Sequence, residues 1–332
     1  MSKYLDLESK KSKILVALSG GVDSAATAAL LKKQGYEVTG IFMRLFSGRN
    51  DSELVVKQIA QKLGIDIRVA NFSLQFQKLV ERYFFREYLM GRTPNPCVVC
   101  NEKIKFGLLL KEARKMKAEF LATGHYARIK KTKGFFRLFR AQDKEKDQSY
   151  FLYRLGQEEL SRVIFPLGEY TKKDVLELAK KWHLPFQKKS SADACFMLGQ
   201  KLEDFLKRRI KLKPGIIIDE KGKFLGYHKG LPLYTIGQRA SVGGPGPFYV
   251  IGKNLKENQL IVSSQKEKLF KKDLKIEEVS WVSSQQLILP KKCWIKIRYR
   301  TQEAEAKILS YKKERKEAVI EFKHPQRAIT SG

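Results

Sequence analysis

Residues 14–24 read I-L-V-A-L-S-G-G-V-D-S, an apolar run followed by a glycine turn. The run predicts a buried strand. The alanine- and leucine-rich residues 25–34 predict a helix that Gly35 terminates. The first N–H groups of a helix have no partner within it, and glycines let an anion approach them. Residues 19–24 therefore predict a phosphate cradle, to which the hydroxyls of Ser19 and Ser24 add donors. The alternative is a glycine turn that binds nothing.

Composition and charge narrow the class of protein. A chain of 332 residues has room for two or three domains. Its 66 Lys and Arg against 35 Asp and Glu give a net charge of +31, which favours a polyanionic partner such as nucleic acid, unless the whole proteome is basic. No run approaches the roughly 18 apolar residues of a membrane span, and residues 1–6 lack the apolar core of a signal peptide. Four cysteines are too few for a disulfide scaffold, so we expect a cytoplasmic protein without a membrane partner.

Strands and helices alternate through the first part of the chain. The predicted strands cover residues 37–43, 66–70 and 119–123, and the predicted helices cover 53–63, 74–90 and 104–116. This alternation predicts an α/β fold with a doubly wound parallel sheet. Ligands in such sheets bind at the carboxyl ends of the strands, where Ser19, Met43 and Gly124 lie.

The pattern changes towards the C-terminus. We predict a hairpin over 126–141, helices over 148–155, 172–182 and 202–210, and irregular structure over the glycine- and proline-rich residues 243–247. Apolar residues alternate with polar ones in 293–300 and again at Ala318, Ile320 and Phe322, which predicts an antiparallel barrel. We therefore place a nucleotide-binding domain at 1–200, a small central domain at 201–268 and a β-barrel at 269–332.

Three cysteines lie in two segments that are distant in sequence. Residues 91–101 read G-R-T-P-N-P-C-V-V-C-N, a proline-rich loop, and Cys195 lies in S-S-A-D-A-C-F at 190–196. A constrained loop suits a reactive thiol, although buried cysteines can also simply pack, as we expect for Cys293. Lys103, Lys105 and Lys189 are nearby cations, which favour thiolates.

The motifs together resemble a known family. S-G-G-x-D-S resembles the PP-loop of ATP pyrophosphatases, and no Walker or dinucleotide fingerprint is present. With G-R-T-P-N-P-C-V-V-C-N-E-K-I-K-F, A-T-G-H-Y, K-D-Q-S-Y-F-L, F-P-L-G, S-x-D-x-C-F and Y-T-I-G-Q-R, the chain resembles the tRNA-specific 2-thiouridylases over nearly its whole length. The resemblance implies ATP-dependent 2-thiolation of uridine 34 in tRNA, with Mg²⁺, and a persulfide donor such as a cysteine desulfurase or sulfur-relay protein.

The resemblance also implies that residues 1–200 form the PP-loop catalytic domain, that residues 201–268 form a central tRNA-recognition domain, and that single residues have the following roles. Cys100 corresponds to the nucleophile and Cys195 to the persulfide carrier, and a disulfide bond belongs to the expected properties. The ATP-binding positions are Ala17, Leu18, Ser19, Gly20, Gly21, Val22, Asp23, Ser24, Met43 and Gly124. The positions that contact the target base or the tRNA are Asn95, Pro96, Cys97, His125, Lys146, Asp147, Gln148, Tyr299 and Arg300. The basic, aromatic residues 291–300 suit contact with RNA, or a solvated strand face.

Two departures from the family pattern leave alternatives open. Many members have Asp where this chain has Cys97, so Cys97, Cys100 and Cys195 form a possible ligand set for a [4Fe–4S] cluster, while C-x-x-C also suits zinc or a redox pair. The chain ends after Ala328-Ile329-Thr330 without the family's P-G-Q, so we expect a shortened barrel that either has an open edge or is closed in another way. Rival functions are another PP-loop enzyme, such as a lysidine synthetase or an amidotransferase-linked synthetase, and a catalytically impaired tRNA-binding protein.

Overall fold

The computed structural model describes residues 12–46, 51–187, 195–197, 199–243, 246–283 and 287–332. The chain forms two compact units. The first comprises residues 1–80, 97–191 and 281–284, and the second comprises 81–96, 192–280 and 285–332. Lys189, most of the 190–196 segment, residues 1–6 and part of 243–247 lie outside the described residues.

The first part of the chain alternates strands and helices as predicted. In chain order the elements are β1 (Lys13–Leu18), α1 (Val22–Lys33), β2 (Glu37–Arg44), α2 (Asp51–Leu63), β3 (Asp66–Asn71), α3 (Ser73–Phe76), a π-helical segment (Gln77–Glu81), α4 (Arg82–Leu89), α5 (Pro96–Val99), a second π-helical segment (Cys100–Leu108), α6 (Leu109–Lys115) and β4 (Phe120–Ala122). The helix predicted to begin at 104 begins instead at Pro96. The interpretation of 91–101 as a loop throughout was therefore wrong, because proline is well tolerated in the first turn of a helix.

The next elements confirm the hairpin and correct one helix. They are β5 (Ala127–Thr132), β6 (Phe135–Arg140), α7 (Gln157–Leu160), β7 (Val163–Ile164) and α8 (Lys172–Lys181). The predicted helix at 148–155 is only a short 3₁₀ turn, Ser149–Phe151. The Asp147 carboxylate accepts hydrogen bonds from the Ser149 backbone N–H and hydroxyl at 3.3 and 2.8 Å, and such local bonds favour a turn over a helix. Helix α8 begins with a capping box between Thr171 and Asp174.

The first unit is built on a parallel sheet of order β3-β2-β1-β4-β7, as the sequence predicted. Strand β1 lies in the middle, and Ile14, Leu15 and Val16 are fully buried. The alanines of α1 are also fully buried, so the helix packs closely on the sheet. The chain leaves β1 towards β2 on one side, while β4 pairs with β1 on the other. Such a switch in strand order creates the crevice where α/β sheets bind ligands.

The second unit contains two further sheets. The elements are α9 (Leu202–Lys207), β8 (Gly215–Asp219), β9 (Phe224–His228), β10 (Arg239–Ala240), β11 (Phe248–Asn254), β12 (Gln259–Ser263), β13 (Phe270–Ile276), β14 (Lys291–Ile295), β15 (Ala304–Lys312) and β16 (Glu317–Arg327). The first sheet has the order β10-β11-β12-β8-β9 and a core of Ile217, Val250, Leu260 and Val262. The predicted helix at 202–210 is shorter than expected.

The C-terminal sheet is antiparallel, with order β13-β16-β15-β14. Ala318, Ile320 and Phe322 of β16 are buried, which confirms the predicted alternation. The strand predicted over 293–300 ends at Ile295, and Tyr299 and Arg300 lie in a turn. The turn is held by the Arg298 guanidinium, which donates to the Ile236 carbonyl at 3.1 Å and the Ala328 carbonyl at 2.7 Å. In the described part of this sheet, β13 and β14 are the edges.

The described helices include none with both the length and the apolar character of a membrane span.

Candidate active site

The phosphate cradle has the strand–turn–helix geometry that residues 14–34 predicted. Gly20 has φ +78°, a conformation that favours glycine. Gly21 is the extended N-cap of α1. The buried Ser24 hydroxyl accepts from the Ser19 N–H at 3.1 Å and donates to the Gly21 carbonyl at 2.9 Å, so it closes the turn from inside. The first N–H groups of α1 point out of the helix end into this turn, as anion binding requires.

Gly124 lies just past the carboxyl end of β4 and approaches the cradle closely. A Cβ atom at this position would lie 2.9 Å from the Asp23 carbonyl carbon and 3.0 Å from the Ser24 nitrogen. Only glycine therefore lets the end of β4 lie against the first turn of α1. Met43, half-buried near the carboxyl end of β2, is on the same edge of the sheet. The sequence predicted these three strand ends as one site, and the structure places all three at that edge.

Asp23 has two partners that sequence reasoning missed. Its Oδ1 accepts from the Tyr126 hydroxyl at 2.8 Å and pairs with the Lys172 ammonium at 2.6 Å. Burial and the adjacent Asp23 carboxylate raise the pKa of Tyr126 well above its usual range, so Tyr126 remains a hydrogen-bond donor. Tyr126 ends the A-T-G-H-Y motif, a usable signal, whereas nothing in the sequence linked Lys172 to the cradle.

In the K-D-Q segment at 146–148, Gln148 forms two hydrogen bonds with the backbone of Tyr126. The Gln148 side-chain oxygen accepts from the Tyr126 N–H at 3.0 Å, and the Gln148 N–H donates to the Tyr126 carbonyl at 2.8 Å. Asp147 is buried and caps the backbone of Ala141 and Ser149. Lys146 alone of the three is exposed. The structure thus gives Asp147 and Gln148 internal partners, and their predicted tRNA contacts stay predictions.

Asp143 and Gln187 complete the supports around the cradle. Asp143 accepts from the Lys172 N–H at 2.9 Å, and this bond holds the pKa of the carboxyl below its ordinary value. Gln187 donates its N–H to the Gly20 carbonyl at 2.9 Å, and its side-chain oxygen accepts from the Ser52 hydroxyl at 3.0 Å. The sequence motifs indicated none of these contacts.

His125 is buried, with both ring nitrogens in contact. Nδ1 lies 2.8 Å from the Thr123 hydroxyl, and Nε2 lies 3.4 Å from the Lys105 ammonium. Burial, and then the charge of Lys105, lower the pKa of His125 well below its ordinary value. The ring is therefore neutral at pH 7, and Nε2 accepts from Lys105 while Nδ1 donates to Thr123. The predicted tRNA contact of His125 stays a prediction.

Cys97 and Cys100 lie on the first turns of the helix that begins at Pro96. Cys97 is half-buried and Cys100 is buried. The start of a helix favours the thiolate form of a cysteine. The observed helix therefore suits a reactive thiol, as the predicted loop did. The adjacent Asn101 donates from Nδ2 to the Phe151 carbonyl at 3.1 Å, while its Oδ1 is buried without a hydrogen-bond partner among the described residues.

The other two cysteines belong to the second unit. Cys195 is exposed on the 3₁₀ turn Cys195–Met197, and the next residue, Phe196, packs edge to face on Phe84. Cys293 is half-buried on β14, and burial raises the pKa of its thiol. Within the described ranges, no three His, Cys, Asp or Glu side chains are grouped as a metal site.

The remaining predicted positions are spread over the chain. Lys103 was predicted as a cation near a thiol. Its ammonium forms an ion pair with the Glu102 carboxylate at 2.6 Å. The Asn95 N–H lies 3.4 Å from the Tyr83 hydroxyl, and Pro96 is buried. The Lys296 ammonium lies 5.6 Å from the Tyr299 ring centre, and Arg300 is exposed.

Three family models match consecutive parts of the chain from residue 12 to its end. Residues 12–199 match the family model described as the tRNA methyl transferase HUP domain, 203–264 the tRNA methyl transferase PRC-barrel domain, and 271–332 the aminomethyltransferase beta-barrel domain. A solved U34-tRNA thiolase, NcsA from Methanococcus maripaludis with its [4Fe-4S] cluster, is 21% identical with a TM-score of 0.41, covering 61% of this chain and 68% of that one. A likeness this low says nothing about chemistry.

Curated relatives are much more similar. The tRNA-specific 2-thiouridylase MnmA of Syntrophomonas wolfei is 44% identical over 96% of this chain and 94% of its own length. MnmA 1 of Caldanaerobacter subterraneus is 42% identical over 97% and 93%, and MnmA of Roseiflexus castenholzii is 40% identical over 97% and 94%. The resemblance that the motifs indicated is confirmed, and the chain belongs to the tRNA-specific 2-thiouridylase family.

Proposed function

We propose that this chain uses ATP to install the 2-thio group on uridine 34 of tRNA. The observation that carries the proposal is the combination of the phosphate cradle at the switch point of the sheet with Cys100 near the start of the helix that begins at Pro96, in the same unit. Membership of the 2-thiouridylase family supports the assignment and disfavours the rival PP-loop functions.

The first step is adenylation of the base. The cradle (residues 17–24), with Met43 and Gly124, binds ATP, and the uracil O2 attacks the α-phosphorus while pyrophosphate leaves. The oxygen, now esterified to AMP, becomes a good leaving group. The Asp23 carboxylate is a hard oxygen ligand at the cradle and fits Mg²⁺, which offsets phosphate charge when bound. Lys172, which is 2.6 Å from that carboxylate, adds a fixed positive charge.

The second step moves sulfur. Cys195, which is exposed, receives a persulfide from a donor such as a cysteine desulfurase or sulfur-relay protein. The terminal sulfur attacks C2 of the base, and AMP departs with the former carbonyl oxygen. The Cys100 thiolate then attacks the Cys195 sulfur and breaks the S–S bond. The base keeps the 2-thio group, Cys100 and Cys195 become a disulfide, and a thiol reductant returns both to thiols with two electrons.

The tRNA-contacting positions follow the family motifs. Asn95, Pro96 and Cys97 face the target base in this proposal, while His125, Lys146, Asp147, Gln148, Tyr299 and Arg300 belong to the tRNA-binding segments. Arg300 and Lys146 are exposed and cationic, as direct phosphate contacts require. A [4Fe–4S] cluster on Cys97, Cys100 and Cys195 is not supported by any ligand group among the described residues, so no step is assigned to it.

A pyrophosphate-release assay tests the proposal. We expect release to require tRNA that carries uridine 34 and to be lost with a transcript that carries cytidine there. Asp23→Ala and Ser24→Ala should abolish release while the protein stays folded. Asp66→Ala, an exposed aspartate at the amino end of β3, is the matched control and should behave as wild type. Normal turnover by the two cradle variants would show that residues 19–24 are not the ATP site.

A further inference from the structure

Two exposed aromatic side chains share one face of the five-stranded sheet. Phe224 and Tyr227 on β9 are 51% and 77% exposed, and their ring centres lie 5.2 Å apart. Residues three apart on a regular strand point to opposite faces. Here Tyr227 lies opposite Ile216 and Phe224 opposite Ile218, so Leu225 is an extra residue in the ladder. This β-bulge turns both rings to the same side.

That side is the solvent face of the sheet. The opposite face carries Ile217, which is 1% exposed and part of the core with Leu260 and Val262, and the bulged Leu225 packs against this core. Folding therefore places the bulge residue inside and leaves the two rings outside. A pair of adjoining exposed rings is a candidate interaction surface, because soluble proteins rarely leave contiguous apolar surface without a function. We name the outer face formed by Ile216, Ile218, Phe224 and Tyr227 the aromatic face.

The charge around the aromatic face is strongly positive. Residues 201–230 contain nine Lys and Arg against four Asp and Glu. Five of these cations lie within residues 207–213, and all five are exposed. Lys213 is two residues before Gly215, so its Cα lies within roughly 7 Å of the Cα of Gly215, and Gly215 pairs with His228, the residue after Tyr227.

Part of the nearby acidic charge is already engaged. The Asp219 carboxylate accepts from the backbone N–H groups of Lys221 and Lys223 at 2.9 and 2.8 Å, which leaves the two ammonium groups for solvent or a ligand. Glu203 pairs with Lys207 at 2.7 Å. In sequence and strand pairing, cations therefore lie on both sides of the rings: Lys221 and Lys223 precede Phe224, and the 207–213 segment leads into Gly215, which pairs with the residue after Tyr227.

We propose that the aromatic face binds an unpaired part of the tRNA. A base stacks on Tyr227, the more exposed ring, with Phe224 packed against it, and the backbone follows the cations of 207–213. Exposed rings between cations suit single-stranded RNA, since stacking needs an open ring and the backbone needs positive charge. This proposal relies on the proposed function only for the identity of the RNA.

Fluorescence anisotropy of the full chain with a labelled tRNA transcript tests the proposal. Tyr227→Ala should weaken binding by about tenfold, as loss of one stacked base does, while Tyr227→Phe should bind as wild type. Phe270→Ala is the matched control, because Phe270 is 45% exposed on another sheet. The salt dependence separates base stacking from phosphate contact. Tyr227→Ala should leave the slope of log K against log[salt] unchanged, because stacking releases no counterions. The double substitution Lys211→Ala with Lys213→Ala should reduce the slope by about two.

The outcomes distinguish this surface from the proposed activity. Unchanged tRNA affinity in the double variant Phe224→Ala with Tyr227→Ala, at an unchanged melting temperature, would overturn the proposal. If that variant also shifted the oligomeric state on size exclusion, the face would belong to self-association instead. A wild-type chain that releases no pyrophosphate with tRNA, yet loses tRNA affinity on Tyr227→Ala, would overturn the activity and support the surface.

Discussion

At the scale of single residues, Asp23 shows what a motif reveals and what it leaves out. The S-G-G-x-D-S pattern identifies Asp23 as part of the cradle. Its partners Tyr126 and Lys172 are 103 and 149 residues away in sequence, so no local pattern could pair them with it. A two-partner carboxylate is held in one position, which matters at a site where phosphates and Mg²⁺ must be aligned.

Lys172→Met should reduce tRNA-dependent AMP formation by tenfold or more, because a charge-assisted contact at the cradle is worth about 1.5–3 kcal/mol. Both partners are partly exposed, so the melting temperature should hardly change. Tyr126→Phe should reduce the rate less. The neighbouring exposed Lys173→Met is the control. Equal rates for Lys172→Met and Lys173→Met would remove Lys172 from the site.

Lys253 predicts a pH dependence of stability. Its ammonium donates to the Gly91 carbonyl at 3.0 Å, and burial lowers its pKa from 10.5 to about 8. Between about pH 8 and 10.5 the unfolded chain therefore binds more protons at this site than the folded chain. The contribution of Lys253 to stability rises with pH in that window and is flat below it.

Urea unfolding of wild type and Lys253→Met from pH 7 to 10.5 measures this contribution as a difference. We expect the free energy of unfolding of wild type, relative to that of Lys253→Met, to rise above about pH 8. Lys256→Met, at an exposed position of the same sheet region, should show no such trend. A wild-type curve parallel to that of Lys253→Met over the whole range would contradict the assignment.

At the scale of elements, the strands were predictable and the ends of several helices were not. A continuous apolar run located β1 closely, and the strands predicted at 37–43 and 66–70 end within one residue of the observed β2 and β3. Pro94 and Pro96 indicated a loop over 91–101, yet Pro96 opens a helix, since proline lacks only an N–H that the first turn does not use. The helix expected at 148–155 gave way to a turn because Asp147 binds the backbone beside it.

Cys97→Ala separates the two sulfur mechanisms at this helix terminus. In the persulfide route only Cys100 and Cys195 change covalently, so we expect Cys97→Ala to retain thiolation and bind no iron. The variant should be purified without oxygen, its iron content and visible absorption recorded, and its thiolation assayed in parallel with a persulfide donor, as the persulfide route requires, and with sulfide. Cys293→Ala is the matched control on β14. Loss of both iron and thiolation with adenylation intact would instead make Cys97 a cluster ligand.

Gly124→Ala tests the close approach of β4 to the cradle. The added Cβ would lie 2.9–3.1 Å from three atoms of Asp23 and Ser24, so the first turn of α1 must shift. We expect at least a tenfold loss of ATP turnover with a folded protein, since small displacements of reacting groups are costly. Gly243→Ala, where nothing lies within 4 Å, should be neutral. Full activity of Gly124→Ala would mean that the cradle tolerates displacement.

At the scale of the whole molecule, the alternation of strands and helices was enough to predict the parallel sheet and the edge that carries the cradle. The contacts that complete the site, such as Gln187 on Gly20 and Gln148 on Tyr126, join segments far apart in sequence and follow from packing alone. The bulge on β9 is also invisible in the sequence, because only the register shows Leu225 as an extra residue. The domain boundaries at 200 and 268 stay predictions.

The net charge of +31 predicts salt-dependent tRNA affinity. If the basic surface neutralises phosphates, log K should fall linearly with log[salt], with a slope close to the number of phosphates contacted. Arg300→Ala should reduce that slope by about one, and an affinity that stays flat from low to moderate salt would remove nucleic acid as the reason for the charge.

Mass spectrometry of nucleosides tests the central claim most directly. Unmodified tRNA that carries uridine 34 would be incubated with the purified chain, ATP, Mg²⁺ and a persulfide donor, then digested and analysed. We predict 2-thiouridine at position 34 in amounts that depend on ATP and disappear with Asp23→Ala and Cys100→Ser. Absence of 2-thiouridine from the wild-type reaction, in a sample that binds tRNA and is fully folded, would contradict the assignment of this chain as a uridine-34 2-thiolating enzyme.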